Sequence, residues 1–171
     1  MAFLLRHLPD ERAFARFSKL YPSLDPVSVS AFLRLLRVGS DLLGELDTLL
    51  ATHGLSHGRW ITLVLLRRED HMSALPRDLA EKQGVSKATM SGLLSGLEDA
   101  GLIRREWREE DARCAPAVLT EAGVQILDRV MPRYYDSVRQ WLSPLSTSEQ
   151  RSLIGLLDRL LGSLDQRQLM K

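Results

Sequence analysis

Apolar residues recur at helical spacing along most of the chain, and the longest such pattern begins near residue 26. Asp25 followed by Pro26 predicts a helix start, because aspartate caps free backbone amides and proline is tolerated in the first turn. The pattern runs to about Ala51 and places apolar residues on more than one face: Val29, Phe32, Leu33, Leu35, Leu36, Leu42, Leu43, Leu46, Leu49 and Leu50. A helix that is apolar on so many sides is expected to be covered by more than the rest of its own small domain. Burial in a dimer interface is the natural explanation.

Three shorter helical patterns follow, and a tight turn separates the last two. They run from Ser56 to about Arg68, from about Leu75 to Gln83, and from Ser86 to Gly101. Gly84 supplies the conformation that a tight turn needs, and Ser86 is a good cap for the next helix. The inner face of that last helix is predicted to be Met90, Leu93, Leu94 and Leu97. The arrangement predicts a helix-turn-helix.

Two short strands are predicted immediately after these helices, over residues 102–107 and 114–119, with a polar tip at 108–113. Pro116 is expected to confine the second strand to the edge of the sheet, because proline cannot donate a ladder hydrogen bond. A helix-turn-helix followed by an arginine-bearing hairpin is the plan of a winged helix. The predicted fold class is therefore mainly α with a small β-hairpin wing: a winged helix-turn-helix plus a helical dimerisation region.

The C-terminal part is predicted to be two helices. Thr120 caps one that runs to about Trp141 with a bend near Pro132, and Ser146 with Glu149 forms a capping box for the other. The predicted domains are an N-terminal arm at 1–25, a dimerisation region at 26–55 and 120–165, a DNA-binding domain at 56–119 and a tail at 166–171.

Composition limits where DNA could bind and where the protein acts. The net charge is only +1, so any DNA footprint must be local. Cys114 is the only cysteine, which excludes an intramolecular disulfide and does not imply an oxidising compartment. The N-terminus has too few apolar residues to form the core of a signal peptide, and no apolar run is nearly long enough to span a membrane. We expect a cytoplasmic protein without a membrane partner.

Five short motifs in register carry a family resemblance. They are Leu79-Ala80, Val85-Ser86, Leu97-Glu98-x-x-Gly101-Leu102-Ile103, Asp111-x-Arg113 and Leu119-Thr-x-Ala-Gly123. Together they resemble the MarR (multiple antibiotic resistance regulator) family of bacterial winged-helix transcription factors. The resemblance implies a homodimer, built from the first and last helices of both subunits, on a pseudo-palindromic operator with half-sites about 34–36 Å apart. It also implies that a small molecule can release the DNA.

The chain departs from the family pattern on the recognition helix. Many relatives carry arginines where this sequence has Gly92 and Gly96. Each glycine inside a helix costs roughly 1 kcal/mol relative to alanine. Two side chains that often reach bases or phosphates are therefore missing, which bears on both the operator sequence and the affinity.

The predicted DNA contacts lie at the start of the recognition helix and on the wing. Ser86, Lys87, Thr89 and Ser91 occupy the first turns, where free amides and the helix dipole favour a phosphate. Arg104, Arg108 and Arg113 are the wing candidates, and the resemblance implies that Asp111 braces Arg113 toward a minor groove or phosphate. The alternatives without DNA contact are an ordinary capped helix at the surface and a hairpin whose alternating charges are simply solvated.

Other candidate sites are weaker. His57, Arg59, Trp60 and Tyr134 are near where relatives bind ligands, although packing and capping also account for them. His53, His57 and His71 do not form a tight metal-ligand pattern, so neither a metal nor another cofactor is predicted. A nucleophile elbow, a phosphate-binding glycine loop and a dinucleotide fingerprint are all absent from the sequence, and no enzyme is predicted.

The function predicted from the sequence is a homodimeric, sequence-specific regulator of transcription that binds double-stranded DNA and acts as a repressor. Release by a small-molecule effector is part of that expectation. Two alternatives stay open: a winged-helix protein-interaction module with little DNA affinity, which Gly92, Gly96 and the near-zero charge favour, and a thiol-based redox sensor that uses Cys114.

Overall fold

The computed structural model describes residues 7–106 and 115–169, with side chains of the last helix described up to Gln166. This part of the chain is mostly helical, with one small antiparallel sheet. The helices are α1 Glu11–Leu20, α2 Pro26–Ala51, α3 His57–Arg68, α4 Pro76–Gln83, α5 Lys87–Asp99, α6 Glu121–Leu142 and α7 Thr147–Leu169. The strands are β1 Ser73–Ala74, β2 Ile103–Arg105 and β3 Ala117–Leu119, and a 3₁₀ turn covers Asp70–Met72.

The chain divides into two compact units, residues 1–131 and 132–171. The boundary lies inside α6 at Pro132, whose ring nitrogen has no hydrogen to donate to the preceding turn. It does not coincide with the predicted borders at residues 26, 56 and 120. Helix α7 continues to Leu169, so the first four residues of the predicted tail, 166–169, are helical.

The predicted helix starts are confirmed by their hydrogen bonds. Asp25 Oδ1 accepts from the Val27 amide at 3.1 Å, and Ser56 Oγ accepts from the Arg59 amide at 3.4 Å. At the start of α7, the Ser146 amide donates to Glu149 Oε2 at 2.8 Å. These caps satisfy amides that the first turn of a helix leaves without a partner.

The core of the first unit lies where α3, α4 and α5 meet the sheet. Its fully buried side chains come mainly from these three helices: Leu63, Leu66, Leu79, Met90, Leu94 and Leu97. Leu50 at the end of α2 and Leu127 and Val130 of α6 are buried in the same unit. The inner face predicted for α5 is therefore correct at Met90, Leu94 and Leu97, and Leu93 is half-buried.

The sheet has three strands in the order β1-β3-β2, where the sequence predicted a two-stranded hairpin. Strand β3 pairs with β1 at Ser73↔Val118 and with β2 at Ile103↔Leu119. The prediction that Pro116 confines the second strand to an edge is wrong, because β3 is the central strand. Pro116 lies just before this strand. It contributes only its carbonyl to the pairing, and that carbonyl accepts from the Glu106 amide at 3.1 Å.

The end of α5 is joined closely to the start of α6. Gly101 has φ +69°, a left-handed conformation suited to glycine, and its carbonyl accepts from Thr120 Oγ1 at 2.7 Å. The same hydroxyl oxygen accepts from the Gly123 amide at 3.1 Å. A Cβ on Gly123 would lie 2.7 Å from Leu119 Cδ1, so the absence of a side chain there permits the close approach.

Candidate nucleic-acid interface

Helix α5 is held by its apolar face and presents its first turn to solvent. Ser86 Oγ accepts from the Thr89 amide at 3.1 Å and lies 2.9 Å from Thr89 Oγ1. Ser86 therefore caps α5 as predicted, and the Thr89 hydroxyl belongs to the same cap. Lys87 and Ser91 are exposed and form no side-chain hydrogen bond or ion pair with any described residue.

The tight turn before α5 is fixed by a polar contact between α3 and α4. Thr62 is fully buried, and its Oγ1 lies 2.9 Å from both Gly58 O and Gln83 Oε1. Gln83 Nε2 donates to the Gly58 carbonyl at 3.0 Å. Gly84 then turns the chain with φ +68°. The sequence interpretation missed this role for Thr62 and Gln83, because their separation along the chain shows no periodic signal.

The two arginines at the base of the wing are both paired with acids. Arg104 Nη2 lies 2.5 Å from Oε1 of Glu106, the residue that follows β2. Arg105 Nε lies 3.3 Å from Glu98 Oε2 of α5 and ties β2 to that helix. Arg104 is much the more exposed of the two, so its guanidinium can still reach a partner outside the chain. The predicted wing residues Arg108, Asp111 and Arg113, together with Cys114, lie outside the described residues.

Arg59 of α3 lies against the recognition helix. A Cβ built on Gly96 of α5 would be 2.8 Å from Arg59 Cζ and 3.0 Å from Arg59 Nε. A Cβ on Gly92 would meet no atom within 4 Å. The two glycines of α5 therefore differ: Gly96 accommodates the Arg59 guanidinium, and Gly92 faces open space.

The residues predicted for a ligand site are partly explained by packing. The His57 and Trp60 rings stack with centroids 6.4 Å apart, and Trp60 is buried. Tyr134 lies in the second unit, with its ring 5.5 Å from that of Tyr135. Two cavities, of about 630 Å³ and 210 Å³, lie between α1 and α2, and none of the four predicted ligand residues lines either one.

The described residues also bear on two other kinds of site, a metal centre and a membrane span. Within residues 7–106 and 115–169, no three His, Cys, Asp or Glu side chains are grouped so that they could hold a metal ion. No helix in that part of the chain is both long enough and apolar enough to span a membrane.

Comparison with known proteins decides the family. A family model described as the MarR family matches residues 53–113, the segment that contains α3 to the wing. The transcriptional repressor MprA of Escherichia coli K12 is 31% identical over 127 residues, covering 74% of this chain and 72% of MprA. The chain belongs to the MarR family. It is a DNA-binding regulator of transcription.

Other MarR-type proteins resemble it over a greater length. The HTH-type transcriptional repressor YetL of Bacillus subtilis is 29% identical over 157 residues, covering 91% of this chain and 93% of YetL. The crystal structure of the MarR family regulator AbsC from Streptomyces coelicolor superposes with a TM-score of 0.76 at 29% identity, over 83% of this chain and 97% of AbsC. Sco3205 from the same organism, a MarR family regulator solved in complex with DNA, gives a TM-score of 0.74 at 26% identity over 81% and 88%.

Proposed function

We propose that this MarR family member represses transcription as a homodimer that places two copies of α5 in successive major grooves of a pseudo-palindromic operator. The observation that carries the proposal is the geometry of α5. Its apolar face is buried against α3 and α4, whereas the Lys87 and Ser91 side chains in its first two turns are exposed and have no partner among the described residues. Exposed polar groups and free amides at a helix start are suited to phosphates and base edges.

The wing supplies the second part of the proposed interface. Arg104 and Arg108 approach the backbone beside the groove, and Asp111 orients Arg113 toward a minor groove or phosphate. In α5, Lys87 contacts a phosphate, and Thr89 and Ser91 contact phosphates or base edges, with Ser86 acting through its cap. The solved DNA complex of the related Sco3205 supports this use of the fold.

Dimerisation is supported by apolar side chains that the single chain leaves exposed. Helix α2 exposes Val27, Phe32, Leu35, Leu36, Val38 and Leu43. Helix α7 exposes Leu153, Ile154, Leu156, Leu160, Leu161 and Leu164. Extended apolar patches of this kind mark interaction surfaces. We propose that a second copy covers both helices and that the dimer acts in the cytoplasm, where it meets chromosomal DNA.

The test is selection of bound duplexes from a random pool, followed by salt titration of the enriched sequences. Inverted repeats with half-sites about one helical turn apart and a steep salt slope are expected. Lys87→Gln should weaken binding and reduce the slope, whereas Lys19→Gln on α1 should change neither. No enrichment and weak binding at low salt would instead support a protein-interaction module. Loss of oxidant sensitivity in Cys114→Ser would be needed to support a thiol sensor.

Control by a small molecule is the remaining part of the proposal. A ligand that binds only the folded protein raises its unfolding midpoint. Thermal unfolding across a panel of aromatic and anionic compounds, followed by duplex binding with each compound that stabilises the protein, tests this part separately. His57, Arg59 and Trp60 of the first unit are the residues proposed for such a ligand, and Tyr134 of the second unit is a separate candidate. A stabilising compound that leaves duplex binding unchanged would contradict ligand-controlled release.

A further inference from the structure

Arg59 is placed on the recognition helix by close packing between α3 and α5. Its guanidinium covers Gly96, as the 2.8 Å distance from a built Cβ to Arg59 Cζ shows. The residue before it, Gly58, also contacts α5, because its built Cβ would lie 3.0 Å from Leu93 Cδ2. Gly58 and Gly96, one on each helix, therefore leave room for the side chains packed between α3 and α5, and the Arg59 side chain lies across α5.

The guanidinium lies beside a flat, open stripe of α5. Thr89, Gly92 and Gly96 are spaced three and four residues apart and share one side of the helix, away from the buried Met90 and Leu94. Gly92 offers no side chain, and a Cβ there would meet nothing within 4 Å. Lys87 is the only lysine or arginine within α5 itself. Arg59 therefore brings to this side of α5 a charge that the helix does not carry there.

Arg59 is half-buried, and its guanidinium nitrogens form no hydrogen bond or ion pair with any described residue. A guanidinium is always charged and offers five donors in a planar fork, which matches phosphate oxygens. A helix in a major groove has phosphates along both flanks, and Arg59 lies on one flank of α5. This step rests on the proposed function, since it requires α5 to enter the groove.

We propose that Arg59 of α3, lying across Gly96 of α5, contacts an operator phosphate and so supplies the recognition helix with a cation that its own sequence lacks. Arg59 is then a DNA-binding residue, and this role replaces the ligand contact proposed for it above. Gly96 is needed because any side chain at that position displaces the guanidinium, so the glycine is a requirement of the interface.

The first experiment compares wild type with Arg59→Met on the best duplex from the selection and on a mixed-sequence duplex. Methionine keeps a long apolar stem for packing and removes the charge. Affinity for both duplexes should fall about ten-fold or more at low salt, as expected for a charge-assisted hydrogen bond. The salt slope should fall by about 1.8 for the two copies in a dimer. The unfolding midpoint, measured in parallel, should stay within a few degrees of wild type.

The second experiment uses Gly96→Ala, with Gly92→Ala as the matched control in the same helix. Gly96→Ala should weaken binding in wild type but cause no further loss in the Arg59→Met background. The effect of Gly92→Ala should be the same in both backgrounds. Unchanged affinity and slope in Arg59→Met, or a loss confined to the selected duplex with an unchanged slope, would overturn the phosphate contact. If wild type binds no duplex, the proposed function fails first, so the two failures are distinguishable.

Discussion

Thr62 Oγ1 lies 2.9 Å from Gln83 Oε1, in the contact between α3 and α4. The Thr62 side chain is fully buried, and its single hydroxyl proton is shared between Gln83 Oε1 and the Gly58 carbonyl 2.9 Å away. Gln83 is the last residue of α4, and the turn at Gly84 starts from it. The pair therefore sets the direction in which the chain enters α5.

Thr62→Val should lower the free energy of unfolding by about 1–3 kcal/mol. Valine has nearly the same shape but cannot donate, so Gln83 Oε1 loses its buried partner. Chemical denaturation at fixed protein concentration measures the change. Thr48→Val is the matched control, because Thr48 Oγ1 bonds to the Gly44 carbonyl at 2.9 Å in the same way but is exposed. Equal losses in the two variants would contradict a special role for the Thr62–Gln83 contact.

The features that the sequence predicted well are local. Asp25 before Pro26, Ser86 before α5 and Ser146 with Glu149 each act within one helical turn, so the residues that make the cap are neighbours in the chain. The order of the elements from α2 to α7, apart from β1 and the 3₁₀ turn, and the family followed from such local signals together with short motifs.

The features that the sequence did not predict depend on contacts between distant segments. Strand β1 has only two residues, Ser73–Ala74, and exists because β3 offers a free edge there. That pairing makes β3 central and overrides the expectation based on Pro116. Gly96 was interpreted as a missing arginine, whereas its structural reason, the Arg59 side chain, comes from another helix. No periodicity in α5 alone could indicate that contact.

Glu106→Gln should strengthen duplex binding. The Glu106 carboxylate lies 2.5 Å from Arg104 Nη2, so it both neutralises a proposed DNA contact and adds a negative charge near the phosphates. A gain of roughly two- to ten-fold at low salt is expected, and it should shrink as salt screens the charges. Duplex titration at two salt concentrations measures it.

The matched control for Glu106→Gln is Glu98→Gln, which removes the same charge from the more buried pair with Arg105. That pair joins β2 to α5, so its loss should affect stability more than DNA binding. The gain in Glu106→Gln should also require Arg104. A similar gain in the Arg104→Gln background would show that Glu106 acts only through its general charge.

Acid should destabilise the protein in part through two helix caps. The Ser28 hydroxyl, and after it the Val27 amide, hold the pKa of the Asp25 carboxyl below its ordinary value. The Ser146 hydroxyl and amide lower the pKa of Glu149 in the same way. A carboxyl whose pKa is lower in the folded state stabilises it above the unfolded pKa, near 4, and this stabilisation is lost as the pH falls through the folded value.

The double variant Asp25→Asn, Glu149→Gln should therefore lose stability less steeply than wild type as the pH falls below about 4. Asparagine and glutamine do not titrate, and both can still accept a hydrogen bond. Denaturation midpoints from about pH 6 to pH 2 provide the comparison. Parallel curves for the two proteins would show that neither cap contributes to the acid sensitivity.

Leu160→Glu should break the proposed dimer. Leu160 lies on the apolar side of α7 and is 51% exposed in the single chain, which is unusual for a leucine among other leucines unless a partner covers it. A two-fold interface carries each substitution twice, so burial of the two leucines is worth roughly 3–6 kcal/mol. The dimer dissociation constant should rise at least on the order of a hundred-fold, measured by sedimentation equilibrium over a concentration series.

Gly162→Glu is the control for Leu160→Glu, since it adds the same charge to the same helix two residues away. Gly162 lies on the opposite side of α7, where a Cβ meets nothing within 4 Å. Its dissociation constant should stay close to that of wild type, although both variants carry two extra negative charges per dimer. If the two variants weakened the dimer equally, charge repulsion and not the leucine face would be responsible. If neither did, α7 would lie outside the interface, and the exposed residues of α2 would have to form it without α7.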